Sequence, residues 1–223
     1  MKKLFFLAFI TIAFTAAAQD DARARIGIKG GVNFSNISKD KDGNIDKSNM
    51  LPSFHVGLIA DVPLGVPIIS LQPGLLLSGK GAKYEIGDGT MKLKPFYLNL
   101  DVNLLLNIPF GDDFKVFAGV GPYGALGLFG KLKTEGTILG IDVNKDFDIK
   151  FSDNKDDIDR VEEYAHMKRF DVGANLTAGV VLSNIMLSAN YQLGFTKMRQ
   201  GVADDNDDKG KNRSLSISIG FLF

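Results

Sequence analysis

The run Arg213-Ser214-Leu215-Ser216-Ile217-Ser218-Ile219-Gly220-Phe221-Leu222-Phe223 decides how the rest of the chain is read. Leu215, Ile217, Ile219, Phe221 and Phe223 alternate with Ser214, Ser216, Ser218, Gly220 and Leu222. A period of two over that length is a β-strand with two unlike faces. Its polar face holds serine and glycine where a strand facing bulk water would carry Lys or Glu. Small uncharged groups suit the cramped interior of a small barrel, which leaves the apolar face to meet lipid.

The same alternation recurs upstream. Over residues 25–37, Ile26, Ile28, Val32 and Phe34 oppose Lys29, Asn33 and Ser35. Over 53–62, Phe54, Val56 and Leu58 oppose His55 and Asp61, and over 68–79, Ile69, Leu71 and Leu75 oppose Ser70, Gln72 and Ser78. Pro73 removes a ladder donor there and marks an irregularity. From Phe96 to Asn107, Leu98, Leu100, Val102 and Leu104 oppose Tyr97, Asn99, Asp101 and Asn103. A strand over 114–130 is rich in glycine, which lets a narrow wall curve. Two further strands set Val172, Leu176 and Val180 against Asp171 and Asn175, and Leu187, Tyr191 and Leu193 against Asn190 and Gln192. Each segment has about the length of a tilted membrane-crossing strand. The expected fold is all-β: an eight-stranded antiparallel up-and-down transmembrane β-barrel.

The connections sort by length. Pro63-Leu64-Gly65-Val66-Pro67, Pro109-Phe110-Gly111-Asp112-Asp113 and Ser183-Asn184 read as tight hairpin turns. Residues 38–52, 80–94, 131–169 and 197–212 read as long hydrophilic loops, so long and short connections alternate along the chain. Outer-membrane barrels have this asymmetry, with short periplasmic turns and long outer loops. Within 131–169, Leu139, Ile141 and Val143, then Phe147, Ile149 and Phe151, alternate across Asn144-Lys145-Asp146 and predict a small hairpin. Residues 156–168 carry a weak helical pattern.

Residues 1–18 have the pattern of a cleaved signal peptide: Lys2 and Lys3, an apolar stretch from Leu4 to Phe14, then Ala16-Ala17-Ala18. The apolar stretch is about half of the ~20 residues a membrane helix needs. The expected domain is therefore 19–223, exported to the outer membrane of a Gram-negative cell and embedded in its lipid bilayer. Without Lys2 and Lys3 the chain has 24 basic and 26 acidic residues, a net charge of −2, which argues against a nucleic-acid partner. There is no cysteine, so disulfides contribute nothing to stability.

The interior candidates form one polar cluster: Lys29, Asn33, His55, Asp61, Asn99, Asp101, Asn103, Asp171, Asn175, Asn190 and Gln192. They read as side chains that fill a narrow lumen and bond one another, with a small pore as the competing reading. Ser53 and His55 share a face, and Asp101 or Asp171 lies across the lumen, yet His55 is read as packing and no catalytic residue is assigned. Asp40 to Asp46 resembles a calcium loop only loosely, because the sixth and twelfth positions hold Ile45 and Leu51. That stretch and Asp204 to Asp208 read as solvated charge runs. No metal and no cofactor are expected. Phe34, Phe54, Phe96, Phe114, Phe129, Phe170, Tyr191, Phe195 and Phe223 read as interfacial girdle residues. A soluble lipocalin-like binder would reverse the hydropathy, with a charged outer face that Asn99, Asn103, Ser216 and Ser218 do not supply.

Gly30-Gly31-Val32-Asn33-Phe34-Ser35-Asn36, Leu71-Gln72-Pro73-Gly74-Leu75-Leu76, Tyr97-Leu98-Asn99-Leu100-Asp101-Val102, Gly121-Pro122-Tyr123-Gly124, Tyr191-Gln192-Leu193-Gly194-Phe195 and the terminal Phe223 form a set of short motifs. Together they resemble the PorT-like outer-membrane β-barrel family. The resemblance implies an eight-stranded barrel of the Gram-negative outer membrane and brings no catalytic residues. The expected role is structural, or the binding of a protein partner or ligand by the outer loops.

Overall fold

The computed structural model describes residues 24–37, 50–66, 68–86, 88–111, 113–138, 141–142, 145–151, 166–197 and 211–223. The first 23 residues, and with them the leader reading of 1–18, lie outside this set. So do both acidic runs and most of the stretch read as weakly helical.

Thirteen strands are described. They are β1 (Arg25–Ile37), β2 (Leu51–Pro63), β3 (Ile69–Gly79), β4 (Ala82–Ile86), β5 (Asp88–Phe110), β6 (Phe114–Ile138) and β7 (Ile141–Asp142). After them come β8 (Lys145–Asp148), β9 (Lys150–Phe151), β10 (His166–Met167), β11 (Phe170–Leu182), β12 (Ile185–Lys197) and β13 (Lys211–Leu222). Antiparallel pairing runs from β1 to β2, β2 to β3, β3 to β5, β5 to β6, β6 to β11, β11 to β12 and β12 to β13. β13 pairs back onto β1, with Val32 opposite Ile217.

The expectation of an eight-stranded up-and-down barrel is corrected by this topology. The main sheet has eleven strands, β4, β7 and β8 being additions to it, and β9 and β10 form a separate parallel pair. Two stretches expected as loops are strand. Residues 82–86 fold back on β5, and β5 and β6 go on pairing as far as Asp88 and Thr137. The cause is in the side chains. Lys92-Leu93-Lys94 and Lys131-Leu132-Lys133 keep the period of two, with Leu93 and Leu132 buried and the lysines turned outward. At ~3.3 Å per residue, the 25 residues of β6 extend roughly 80 Å, well beyond one bilayer crossing.

The hairpin expected above the wall also has different arms. β6 itself is the outgoing arm, and the returning β7 and β8 pair with it through Ile138–Ile141 and Leu132–Phe147. His166 and Met167, expected in loop or weak helix, form strand β10.

The alternation sorts the wall as expected. Ile26, Ile28, Val56, Leu58, Leu104, Leu106, Leu176, Leu187, Ile217 and Ile219 are exposed on the outside, while Asn33, Asn99, Asp171 and Ser214 are almost fully buried within. One irregularity aims the upper sheet: Phe96 lies opposite Phe129 but Tyr97 opposite Gly127. Leu128 is thus the extra residue of a bulge, and it and Phe129 both face out. Above the bulge the inward series on β6 restarts at Gly130 and Leu132. Three tight turns close the other end, using positive φ at Gly65 (70°), Gly111 (78°) and Ser183 (52°).

Candidate functional site

The enclosed face is crossed by polar links at three heights. At the end with the tight turns, Lys115 Nζ on β6 lies 2.5 Å from Asp61 Oδ2 on β2, across strands that do not pair with each other. A charge so placed is tolerated because its partner is within contact and the pair spans the interior.

At mid-height the links are mainly amides. The Asn33 amide nitrogen donates to Ser78 Oγ (3.0 Å) and to the Gly79 carbonyl (2.9 Å). Its oxygen is left to accept from His55 Nδ1 at 2.7 Å, and in the neutral ring Nε2 then accepts from the Ser218 hydroxyl at 2.9 Å. Lys29 and Asp101 are both buried at this height and line the same small cavity. The Asn190 amide, oriented so that its nitrogen donates to the Thr177 hydroxyl, presents its oxygen to Lys29 Nζ at 2.8 Å. Asn99 Nδ2 reaches Gln192 Oε1 at 3.4 Å from the far wall, and Gln72 Nε2 approaches Met186 Sδ at 3.7 Å.

At the loop end, Lys80 Nζ lies 3.1 Å from Asp171 Oδ2, which also accepts from Tyr123 Oη (2.9 Å) and Asn212 Nδ2 (3.4 Å). The ammonium sits over the rings of Tyr123 and Tyr97, 4.5 and 5.4 Å from their centroids. An apolar cap rests on this group. Ile149 and Met167 are buried with Leu93, Tyr97, Ala125 and Leu132, and Phe151 packs against them. Phe151 meets Tyr97 edge-on, with centroids 5.5 Å apart and planes at 81°. The ring lies so close to Gly127 that an added Cβ would stand 2.4 Å from it. Backbone bonds hold the cap, Ile149 N to Gly130 O (2.9 Å) and Gly127 N to Arg169 O (2.7 Å).

Each residue of the sequence-derived cluster is therefore placed. Lys29, Asn33, His55, Asp61, Asn99, Asp101, Asn103, Asp171, Asn175 and Gln192 are buried and Asn190 is half-buried. They do not form one constellation. Asp61 belongs to the turn end and Asp171 to the loop end, while the others lie between. Asn103 and Asn175 keep side-chain oxygens without a hydrogen-bond partner among the described residues.

Sequence reasoning omitted Lys80, Lys115 and the ring of Tyr123. Both lysines were legible in principle. Lys80, one residue past β3, continues the inward series Ser70, Gln72, Leu76, Ser78, and Lys115, second residue of β6, begins that of Phe117 and Tyr123.

The chain Ser218–His55–Asn33 has the order of a nucleophile, base and orienting amide. It has no room for a substrate. All three residues are buried, and the adjoining cavity, lined by Lys29, Asn33, His55, Asp101 and Gln192, measures about 20 Å³, the room of one water. A larger apolar trough of about 640 Å³ lies on the outside of the wall. There Ala118, Ala178 and Ala189 face one another between larger residues such as Leu106, Val120 and Leu176, so it belongs to the lipid-facing surface. Among the described residues no three of His, Cys, Asp and Glu gather as a metal site. The expected girdle is partly assembled: Phe96 stacks on Phe129 (5.1 Å) and tilts against Phe54 (5.4 Å).

An apolar exterior, an aromatic belt and a polar interior stapled across its width are the marks of a membrane-embedded β-barrel. The chain belongs to the family described as outer membrane protein beta-barrel domain, whose profile matches residues 17–200. No curated protein matches it.

Solved structures similar to it include Ail, the attachment invasion locus protein of Yersinia pestis, in complex with the heparin analogue sucrose octasulfate. It is 13% identical, with 90% of this chain and 99% of that one covered and a TM-score of 0.42. Neisserial surface protein A is 12% identical over 90% and 97%, with a TM-score of 0.43. The N-terminal β-barrel domain of Pseudomonas aeruginosa OprF is 9% identical over 90% and 100%, with a TM-score of 0.35.

Proposed function

We propose that the barrel is a closed anchor that holds a recognition sheet clear of the outer membrane, with partner or ligand contacts made at its loop end. In this reading residues 1–18 are a removed leader, 19–223 are the mature domain, and the loop end faces the cell exterior. The short motifs from Gly30-Gly31-Val32-Asn33 to the terminal Phe223 favour the PorT-like branch of the family.

The observation that carries the proposal is the contrast between the two halves of β5 and β6. Below Phe96 and Phe129 the strands enclose a stapled interior. Above them they form, with β4 and β8, a sheet whose outward face is charged. The same contrast weighs against the small-pore reading, since Lys115–Asp61, Asn99–Gln192 and Lys80–Asp171 all cross the lumen beneath the Phe151 cap.

Two measurements test the proposal. The full chain, extracted from outer membranes in mild detergent, should resist SDS unheated and shift in mobility when boiled. In planar bilayers it should show no discrete conductance steps. Steps from the unaltered protein would replace the anchor by a pore. Recovery in the soluble fraction with no heat shift would remove the membrane reading altogether.

A further inference from the structure

The lysines directly above the aromatic cluster form the second feature of the loop end. On the outward face of β5 and β6, Lys94 lies opposite Lys131, and one pair higher Lys92 lies opposite Lys133. Below Lys94 and Lys131, after the inward Pro95 and Gly130, come the stacked rings of Phe96 and Phe129 on the same face. Two residues of strand rise about 7 Å, less when tilted, which is the depth of a headgroup above the edge of the hydrocarbon.

The acids nearby divide unequally between the two lysine pairs. Lys92 Nζ contacts Glu135 Oε2 at 2.7 Å, and Lys133 Nζ contacts Asp146 Oδ2 at 3.2 Å. Lys94 and Lys131 make no ion pair among the described residues, although the exposed Asp148 lies opposite Lys131 in the sheet. Like charges directly opposite each other in a sheet are destabilising. The pair without an ion-pair contact is the one nearer the lipid.

We propose that Lys94 and Lys131 clamp the phosphate of an anionic lipid in the adjacent leaflet, Lys92 and Lys133 adding to the field behind them. A phosphate between the two ammonium groups turns a repulsive cross-strand pair into two charge-assisted contacts. The lipid source is favoured over free phosphate because the clamp shares its face with Phe54, Phe96 and Phe129, so that acyl chains of the same molecule lie against the wall below. The inference rests on the reading that the loop end faces outward. The lipid is then the phosphorylated glycolipid of the outer leaflet.

Binding is read by retention of that glycolipid on the full-length protein in phosphatidylcholine nanodiscs. The unaltered protein should retain it, the dephosphorylated glycolipid should not be retained, and millimolar inorganic phosphate should not displace it. Lys94→Gln/Lys131→Gln should weaken retention about thirty-fold, each lysine near an anionic surface contributing about a five-fold factor. Lys94→Arg/Lys131→Arg should keep it. The heat shift on SDS gels reports that each variant is folded.

Equal retention by the double Gln variant, or by the dephosphorylated lipid, overturns the clamp. Displacement by inorganic phosphate makes it a site for the free ion and overturns the lipid assignment. Orientation is read separately. Because the chain has no cysteine, Phe147→Cys on the exposed part of β8 gives a single thiol, which an impermeant maleimide should label in intact cells. Labelling only after lysis overturns the outward reading, whereas labelling in intact cells with unchanged retention in the Gln variant overturns the clamp alone.

Discussion

Lys80 Nζ lies 3.1 Å from Asp171 Oδ2, and the two side chains are 2% and 0% exposed. The pair joins the end of β3 to the start of β11, strands from separate parts of the wall. Around it Tyr123 and Asn212 donate to the same carboxylate oxygen, and two tyrosine rings shelter the ammonium. Such a pair adds little net stability over apolar residues of the same shape, but removing one member leaves the other charge stranded.

Asp171→Ala should therefore cost roughly 3–5 kcal/mol. Lys80→Met/Asp171→Leu, which removes both charges, should recover most of that loss. Denaturant unfolding of each variant in detergent micelles measures the difference. Equal losses for the single and double variants would mean that the site is held by packing and not by charge.

The apolar cap makes a local prediction. A side chain at Gly127 meets the Phe151 ring, so Gly127→Val should lift the cap while leaving the pairing of β1 with β2 and β13 intact. The reporter is the Ile149 amide, which donates to Gly130 in the folded cap. Its hydrogen exchange should be slow in the parent protein and fast in the variant. Unchanged protection at Ile149 would show that Phe151 does not hold the cap in place.

What the sequence disclosed follows from the strength of the period-two signal. From Phe96 to Asn107 the alternation is unbroken, and both faces came out as expected. The same alternation runs on through Lys92-Leu93-Lys94 and Lys131-Leu132-Lys133, where lysine on one face looks like loop chemistry if the strand is taken to stop at the membrane. Once β5 and β6 are seen to continue, the lysines mark the face that leaves lipid for water. The interior was legible as a set of residues but not as a set of pairs. Asp61 and Lys115 are 54 positions apart and meet only because β2 and β6 face each other across the enclosed space. The cap was the least legible part. Phe147, Ile149 and Phe151 alternate in sequence, yet Phe147 is exposed while Ile149 is buried and Phe151 packs beside it; Met167 has no periodic neighbour, and only the glycine at position 127 hints that something large must approach.

His55 bonds to Asn33 and Ser218 through its two ring nitrogens. Ser218→Ala should leave Nε2 buried without a partner and cost about 1–3 kcal/mol, read from the same unfolding experiment. Hydrolysis of a nitrophenyl ester by the protein should be identical before and after the substitution. Loss of a measurable esterase rate in the Ser218 variant would turn this structural chain into a catalytic one.

The outward face of the loop-end sheet responds to pH through Glu135. The hydrogen bond from Lys92 holds the Glu135 carboxyl below its ordinary value of 4.5, the charge of Lys92 adds to this, and Lys133 and Lys94 contribute less. A carboxyl whose value is lower in the folded state favours folding while it is ionised. That contribution is present above the ordinary value and is lost as pH falls through the depressed one. Because the group is fully exposed, the effect belongs to the local contact more than to the stability of the barrel. Carbon-detected titration of the Glu135 side chain should give a midpoint below 4.5, and Lys92→Gln should move it up towards that value. A midpoint unchanged by Lys92→Gln would mean that Lys92 does not hold the carboxylate, and that three of the four lysines in the row, not two, are uncompensated.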